Sequence, residues 1–194
     1  MVKLILASKS KVRKQILDNH NIISEVQPSS IDEEPIKQSL LKEKNSPEII
    51  SKNLAEIKAC RVSKKNFDAL VLGADSVIDL SGELISKPND RKEALNILKK
   101  LNGKKHDLIS SVCISKNGSM IWHHTEKATL TMKDFKDEDL SEYLSKISDE
   151  SLYSYNVYQI EGLGKNLFLK IDGDKDTIMG LPVKKIKEYL ENYT

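Results

Sequence analysis

Short apolar runs alternate with amphipathic stretches along the whole chain, and this alternation limits the folds open to it. Val2–Leu6 is apolar and reads as a buried strand. From about Ser10 to Asn19, Val12, Ile16 and Leu17 recur at helical spacing and predict a helix. Asn21–Val26 reads as a second short strand, and the polar Gln27–Asn45 as an exposed loop with some helix in it. Ser46-Pro47-Glu48 then opens a helix with a hydroxyl cap, a proline in the first turn and an acid at the positive end. Ile50, Leu54, Ile57 and Arg61 mark one face of it.

Ala69–Leu72 is a strand that continues through Gly73-Ala74-Asp75-Ser76 into Val77–Leu80. Ser81-Gly82 turns the chain, and Glu83–Lys87 returns as far as Pro88. Arg91–Leu101 is predicted as a helix closed by Gly103. Asp107–Lys116 and Met120–Thr131 form a hairpin about Asn117-Gly118. Asp137–Ile147 and Pro182–Asn192 read as helices, and Val157–Glu161 and Asn166–Ile171 as strands. Helices and strands mixed in this order predict an α/β protein with a mixed sheet. With 194 residues, 39% hydrophobic and 31% charged, residues 1–194 are expected to form one globular unit with a real core.

Charge and cysteine content exclude several classes. Thirty-one Lys and Arg oppose 29 Asp and Glu, and the net charge of +2 gives no electrostatic case for nucleic acid. Cys60 and Cys113 make neither a disulfide framework nor a zinc site, which is the pattern of a reduced cytoplasmic chain. No apolar run approaches membrane-spanning length.

Four stretches carry chemistry, each with a plainer alternative. Ala7-Ser8-Lys9-Ser10 joins the first strand to the first helix. A strand running through small residues into a helix gathers backbone N–H groups and suits an anion; Ser8, Ser10 and Arg13 add hydroxyls and a guanidinium fork for phosphate. The plainer alternative is a capped helix with solvated lysines. Asp75 follows an apolar strand and can hold a cation or take a proton, or simply cap a turn. Ser30-Ile31-Asp32-Glu33-Glu34-Pro35 is either a solvated acidic loop or a source of metal ligands. Lys87, held extended before Pro88, and Lys58, near the apolar face of its helix, are either aimed ammonium groups or surface lysines.

Other signals fail. Asp172-Gly173-Asp174-Lys175-Asp176 lacks the glycine and glutamate of a calcium loop. His123 and His124 oppose each other in a strand and have no third ligand. Gly162-Leu163-Gly164 is too short for a dinucleotide fingerprint. Cys113 has no evident base.

The stretches LILASKSKVRKQIL, SSIDEEP, LAEIKA, LVLGADSVI, ISKP, LNGKKH, VYQIEGLG and IDGDKDTIMGLP fall in order over nearly the whole chain. Together they resemble the Maf nucleoside triphosphate pyrophosphatases, also called septum formation inhibitors. The resemblance implies an α/β fold with a central sheet flanked by helices and a cleft between two lobes. It also implies hydrolysis of a nucleoside triphosphate to monophosphate and pyrophosphate with a divalent metal (Mg²⁺, Mn²⁺ or Co²⁺). It places phosphate binding on Ser8, Ser10 and Arg13, proton acceptance on Asp75, metal binding on Asp75 and Glu33, catalytic lysines at Lys58 and Lys87, and base recognition at Glu161, Ser76 and Val12.

One branch of the family prefers pyrimidine triphosphates and the other 7-methyl-GTP. The pyrimidine branch has arginine, threonine and glutamine where this chain has Val12, Ser76 and Glu161. A carboxylate accepts both the N1–H and N2–H of a guanine edge, whereas glutamine matches a donor and an acceptor together. Glu161 therefore favours a guanine-type base, while Val12 and Ser76 fit neither pattern. Ser151–Val157 reads SLYSYNV where the family has a Lys-Ala-Gly-Ala-Tyr-like segment, and the bulk there bears on turnover. The resemblance leaves a homodimer open. Two other functions compete with it: a non-catalytic nucleotide-binding regulator of septum formation or cell division, and a phosphate-ester or nucleotide-sugar hydrolase that releases orthophosphate. The pyrophosphatase reading requires the basic turn after the first strand to meet Asp75.

Overall fold

The computed structural model describes residues 3–193, and for residues 153–155 the backbone alone. The strands are β1 (Leu4–Leu6), β2 (Glu25–Val26), β3 (Leu70–Leu80), β4 (Glu83–Ile85), β5 (Lys105–Lys116), β6 (Ser119–Met132) and β7 (Phe168–Asp172). The helices are α1 (Lys11–Asn19), α2 (Glu33–Lys42), α3 (Pro47–Ser63), α4 (Arg91–Leu101), α5 (Asp137–Ser145), α6 (Asp149–Tyr155), α7 (Lys175–Ile178) and α8 (Val183–Glu191). The strands form one mixed sheet in the order β2-β1-β3-β5-β6-β7, with β4 paired to β3. The fold is thus α/β, as the alternation predicts. No helix among the described residues is long and apolar enough to cross a membrane.

The chain divides into two compact units. The first comprises Met1–Val77, Ile109–Lys127 and Asp174–Thr194; the second comprises Ile78–Leu108 and Ala128–Gly173. In the first, β1 runs parallel to β3, with Leu4 opposite Leu70, Ile5 opposite Val71 and Leu6 opposite Leu72. On the other side β1 runs parallel to β2. Ile5, Ala7, Ala55, Ala59, Val62, Ala69, Val71 and Cys113 share one apolar cluster. Burial pushes the Cys113 thiol up to about 12, so it remains a small neutral hydrophobe.

Gly73 sets how closely α3 meets β3. A Cβ built there would stand 2.1 Å from the Ala55 carbonyl oxygen and 2.7 Å from the Ala59 nitrogen. Only a residue without a side chain lets helix and strand touch backbone to backbone. α3 itself starts as the sequence predicts, with Pro47 in its first turn and the Ser46 hydroxyl accepting from the Ile49 N–H. Its buried face is displaced from the predicted one, however. It carries Ile50, Ser51, Leu54, Ala55, Lys58, Ala59, Val62 and Ser63, while Ile57 is half-buried and Arg61 exposed. Small residues do the packing here, so the large apolar side chains alone mislead.

In the second unit α4 packs on α5. Arg91 ties that end of α4 down by donating to the carbonyls of Leu144 (2.8 Å) and Ile147 (2.7 Å). His106, 2% exposed, lies among Tyr158 and Phe168, with its Nε2 2.9 Å from the Tyr158 hydroxyl. Burial holds its pKa down at about 4, so the ring is neutral near pH 7 and accepts or donates as an uncharged group.

The Asn117-Gly118 turn has both residues at positive φ (52° and 83°), as a two-residue hairpin of this kind requires. Other expectations meet mixed outcomes. The exposed Gln27–Asn45 stretch, expected to hold some helix, contains the ten-residue α2, capped by Asp32; its Ile36 and Leu40 are half-buried and no residue in it is fully buried. Val157–Glu161 is not a strand: it runs through turns into a 3-10 turn at Leu163–Leu167. The short α6 and α7 have no counterpart in the sequence-based reading. Gly103 lies one residue beyond the Asn102 cap, with φ 66°, and donates to the Lys133 carbonyl. Val2, part of the expected first strand, lies outside the described residues, as do the side chains of 153–155 in the SLYSYNV segment.

Candidate active site

The turn after β1 and the acid on β3 come together within the first unit. Ser8 Oγ accepts from the Ser10 N–H (3.2 Å) and from Arg13 Nη1 (3.3 Å), and Ser10 caps α1 by accepting from the Arg13 N–H (3.3 Å). Arg13 Nη1 also donates to the carbonyl of Ala74 (3.1 Å), next to Asp75. Its Nη2 donates to Ser76 Oγ (3.1 Å) and its Nε to the carbonyl of Gly180 (2.9 Å). Four of the five guanidinium N–H groups are therefore committed, and the fork expected for phosphate is reduced to a single remaining donor among the described residues. Burial lowers the Arg13 pKa, while the carboxylates of Asp75 and Glu33 pull it back up. The group stays cationic at any physiological pH.

Asp75 is buried in the middle of β3, which continues to Leu80. Its Oδ1 accepts from Lys58 Nζ at 2.7 Å, and the same ammonium lies 3.0 Å from Glu33 Oε1. Lys58 is 6% exposed: the helix face that carries Ala55 and Ala59 against Gly73 carries it too, so the close helix–strand contact delivers the ammonium to the acid. Glu33 enters as the first residue of α2, behind the Asp32 cap. Ser51 Oγ donates to the Asp75 carbonyl at 3.2 Å and fixes the backbone below the carboxylate. Asp75 Oδ2 is buried with no hydrogen-bond partner among the described residues. An unmatched buried carboxylate oxygen costs free energy unless a ligand completes it.

Ser76 Oγ is 2.9 Å from Ser110 Oγ, and its hydroxyl is thus spent on Arg13 and Ser110. Val12 is buried on the core face of α1 beside Ile16 and Leu17. Lys87 and Glu161 belong to the second unit. Lys87 is exposed after β4, next to Ser86, whose carbonyl accepts from Asn156 Nδ2 at 3.5 Å. Glu161 is exposed in the turn before the 3-10 segment. Ser51 and Ser110 are not among the residues that the sequence singles out, and Gly180 stands in the quoted IDGDKDTIMGLP stretch without a role assigned to it. Both serines are fully buried, which only the folded structure reveals.

Two carboxylates from different elements thus share one lysine, and Arg13, from the serine-rich start of α1, binds the carbonyl next to one of them. The Maf-like protein family model matches residues 3–193. This chain belongs to the Maf family. A nucleoside triphosphate pyrophosphatase from Pelagibacter ubique is 67% identical over 192 residues, covering 98% of each chain. A 7-methyl-GTP pyrophosphatase from Brucella abortus is 40% identical over 182 residues, covering 94% of this chain and 92% of that one. Among solved structures, a HAM1 protein from Coxiella burnetii aligns with a TM-score of 0.43 at 13% identity, over 68% of this chain and 73% of that one, a likeness too low to bear on function.

Proposed function

We propose that this Maf protein hydrolyses a guanine-type, 7-methyl-GTP-like nucleoside triphosphate to the monophosphate and pyrophosphate. The coarser activity is that of its relatives: the chain is a nucleoside triphosphate pyrophosphatase, a hydrolase of acid anhydrides. The observation that carries the chemistry is Lys58 bridging Asp75 and Glu33 while Asp75 Oδ2 stays unmatched. The finer preference is supported by two acceptor oxygens at Glu161 and by the name of the Brucella relative.

A divalent cation fits the donor set. Asp75 and Glu33 offer hard oxygens, and no group of three or more His, Cys, Asp or Glu suited to a metal occurs among the described residues. Mg²⁺ is commonly held in this way, by one or two carboxylates with water and substrate phosphates completing the shell. When bound, the ion would neutralise charge developing on the phosphates.

The chain's own groups supply the rest. The Ser8 hydroxyl has accepted two hydrogen bonds and keeps its proton to donate to a phosphate oxygen. Arg13 offers its last N–H beside it. Lys58 fixes Asp75 Oδ1, which leaves Oδ2 to orient a water and take its proton. The water oxygen bonds to the α-phosphorus, the bond from that phosphorus to the bridging oxygen breaks, and pyrophosphate leaves. Lys87 is the candidate cation for the leaving group.

The experiment is a panel of canonical and modified triphosphates incubated with purified protein and Mg²⁺, Mn²⁺ or Co²⁺, assayed for pyrophosphate and orthophosphate separately. Highest kcat/KM on 7-methyl-GTP supports the proposal. A preference for dTTP or UTP sinks the base reading, and orthophosphate as the released product sinks the bond assignment.

A further inference from the structure

We propose that Ser110 and Gly180 are positioning residues for Arg13. The inference rests on the reading of Ser8 and Arg13 as phosphate ligands. Arg13 starts on α1, yet its side chain is held by groups from three other places in the first unit: Ala74 and Ser76 on β3, Ser110 on β5 through Ser76, and Gly180 just after α7.

Counting protons fixes the hydrogen-bond directions within this frame. Ser110 Oγ donates to the Thr177 carbonyl at 2.8 Å. A hydroxyl has one proton, so the 2.9 Å contact between Ser110 and Ser76 must be donated by Ser76. The Ser76 oxygen is then left as an acceptor, turned to Arg13 Nη2 at 3.1 Å. Ser110 therefore determines which way the Ser76 hydroxyl points, and so whether it attracts or repels the guanidinium. Ser110 is 0% exposed, and a hydroxyl buried so deeply costs free energy unless its bonds are made.

Gly180 acts from the other side. Its φ of 100° belongs to the left-handed region that favours glycine. A Cβ at Gly180 would stand 3.1 Å from Ser76 Oγ and 3.3 Å from Arg13 Nε. A side chain there presses on Ser76 Oγ and on Arg13, whose Nε the carbonyl of Gly180 holds. The Gly-Leu-Pro stretch after α7 thus has a physical role. It supplies the acceptor for Arg13 Nε at a point where only a glycine backbone fits.

The test uses ¹⁵N-labelled full-length protein, with the Arg13 Nε–H resonance assigned from its loss in Arg13→Lys. In the wild type, Nε–H exchange with solvent is expected to be at least tenfold slower than in free arginine, and Ser110→Ala should speed it about tenfold. Kinetically, Ser110→Ala is expected to raise KM for the best triphosphate about tenfold with kcat within threefold. That increase should vanish when Arg13 is already alanine. Ser76→Ala, at a half-buried position, provides the same readings should Ser110→Ala fail to fold. Unchanged Nε–H exchange in both serine variants, or an equal KM penalty with and without Arg13, overturns the inference. Protected Nε–H in a protein that cleaves no triphosphate leaves the frame standing and removes the enzymatic reading instead.

Discussion

Two buried polar clusters in this molecule are handled in opposite ways. In the first unit, Lys58 and Asp75 are buried as an ion pair, with Glu33 as a second carboxylate and Arg13 near enough to respond to both acids. In the second, His106 is buried with Tyr158 and Phe168, and the imidazole gives up its charge. Burial of an ion is tolerated only with a partner, and where the partners are hydroxyl and aromatic groups the ion disappears. The first cluster joins two carboxylates through one ammonium and leaves Asp75 Oδ2 unmatched among the described residues. The second packs a neutral ring among aromatic groups, with His106 Nδ1 also unmatched among the described residues.

The comparison can be broken most forcefully at Asp75. Asp75→Asn keeps the shape and removes the proton acceptor, and is expected to lower kcat for pyrophosphate release about 10³-fold with the fold retained by circular dichroism. Residual activity within tenfold of wild type would move the base elsewhere.

Gly73→Ala attacks the same cluster through packing. Its Cβ would overlap the Ala55 carbonyl, so the helix must retreat; a loss of about 3 kcal/mol and a fall in Tm of roughly 10 °C are expected by thermal melting.

The second cluster yields a pH effect. The folded pKa of His106, about 4, lies below the ordinary histidine value of 6.5. The unfolded chain therefore binds the proton first, and stability falls as pH drops from about 6.5 towards 4, by up to about 3 kcal/mol. His106→Phe should flatten urea-derived stability over that range, and an unaltered slope would show that other groups carry it.

The smallest expected effect is at Glu161. Glu161→Gln should shift the ratio of kcat/KM for 7-methyl-GTP over UTP about tenfold towards the pyrimidine. An unchanged ratio would mean the base is read by other groups.

What is legible in the sequence follows from the range of the interaction concerned. The α1 cap, the Asn117-Gly118 hairpin and the start of α3 depend on neighbours within a few residues, and each forms as read. The face of α3 is misjudged because Ser51, Ala55, Ala59 and Ser63 pack there without looking like a core. α2 is only partly legible because its apolar residues, Ile36, Leu40 and Leu41, are few and none is fully buried. Within the site, Ser8, Ser10, Arg13, Glu33, Lys58 and Asp75 stand out as chemistry-bearing types and do converge. The sequence marks Ser76 and the stretch holding Gly180 but not their contact with Arg13, since the bond to Gly180 spans 167 positions and no local pattern encodes such a partner.

The bare contact at Gly73 has a practical corollary for anyone who alters this enzyme. With no cushion of side chains between α3 and β3, no rotamer change at Gly73 can absorb a misfit, so the spacing of helix and strand is set by main-chain atoms and the Ala59 methyl. Arg61, exposed one turn beyond the buried Lys58, is therefore a place on this helix where a label can be attached without altering that spacing.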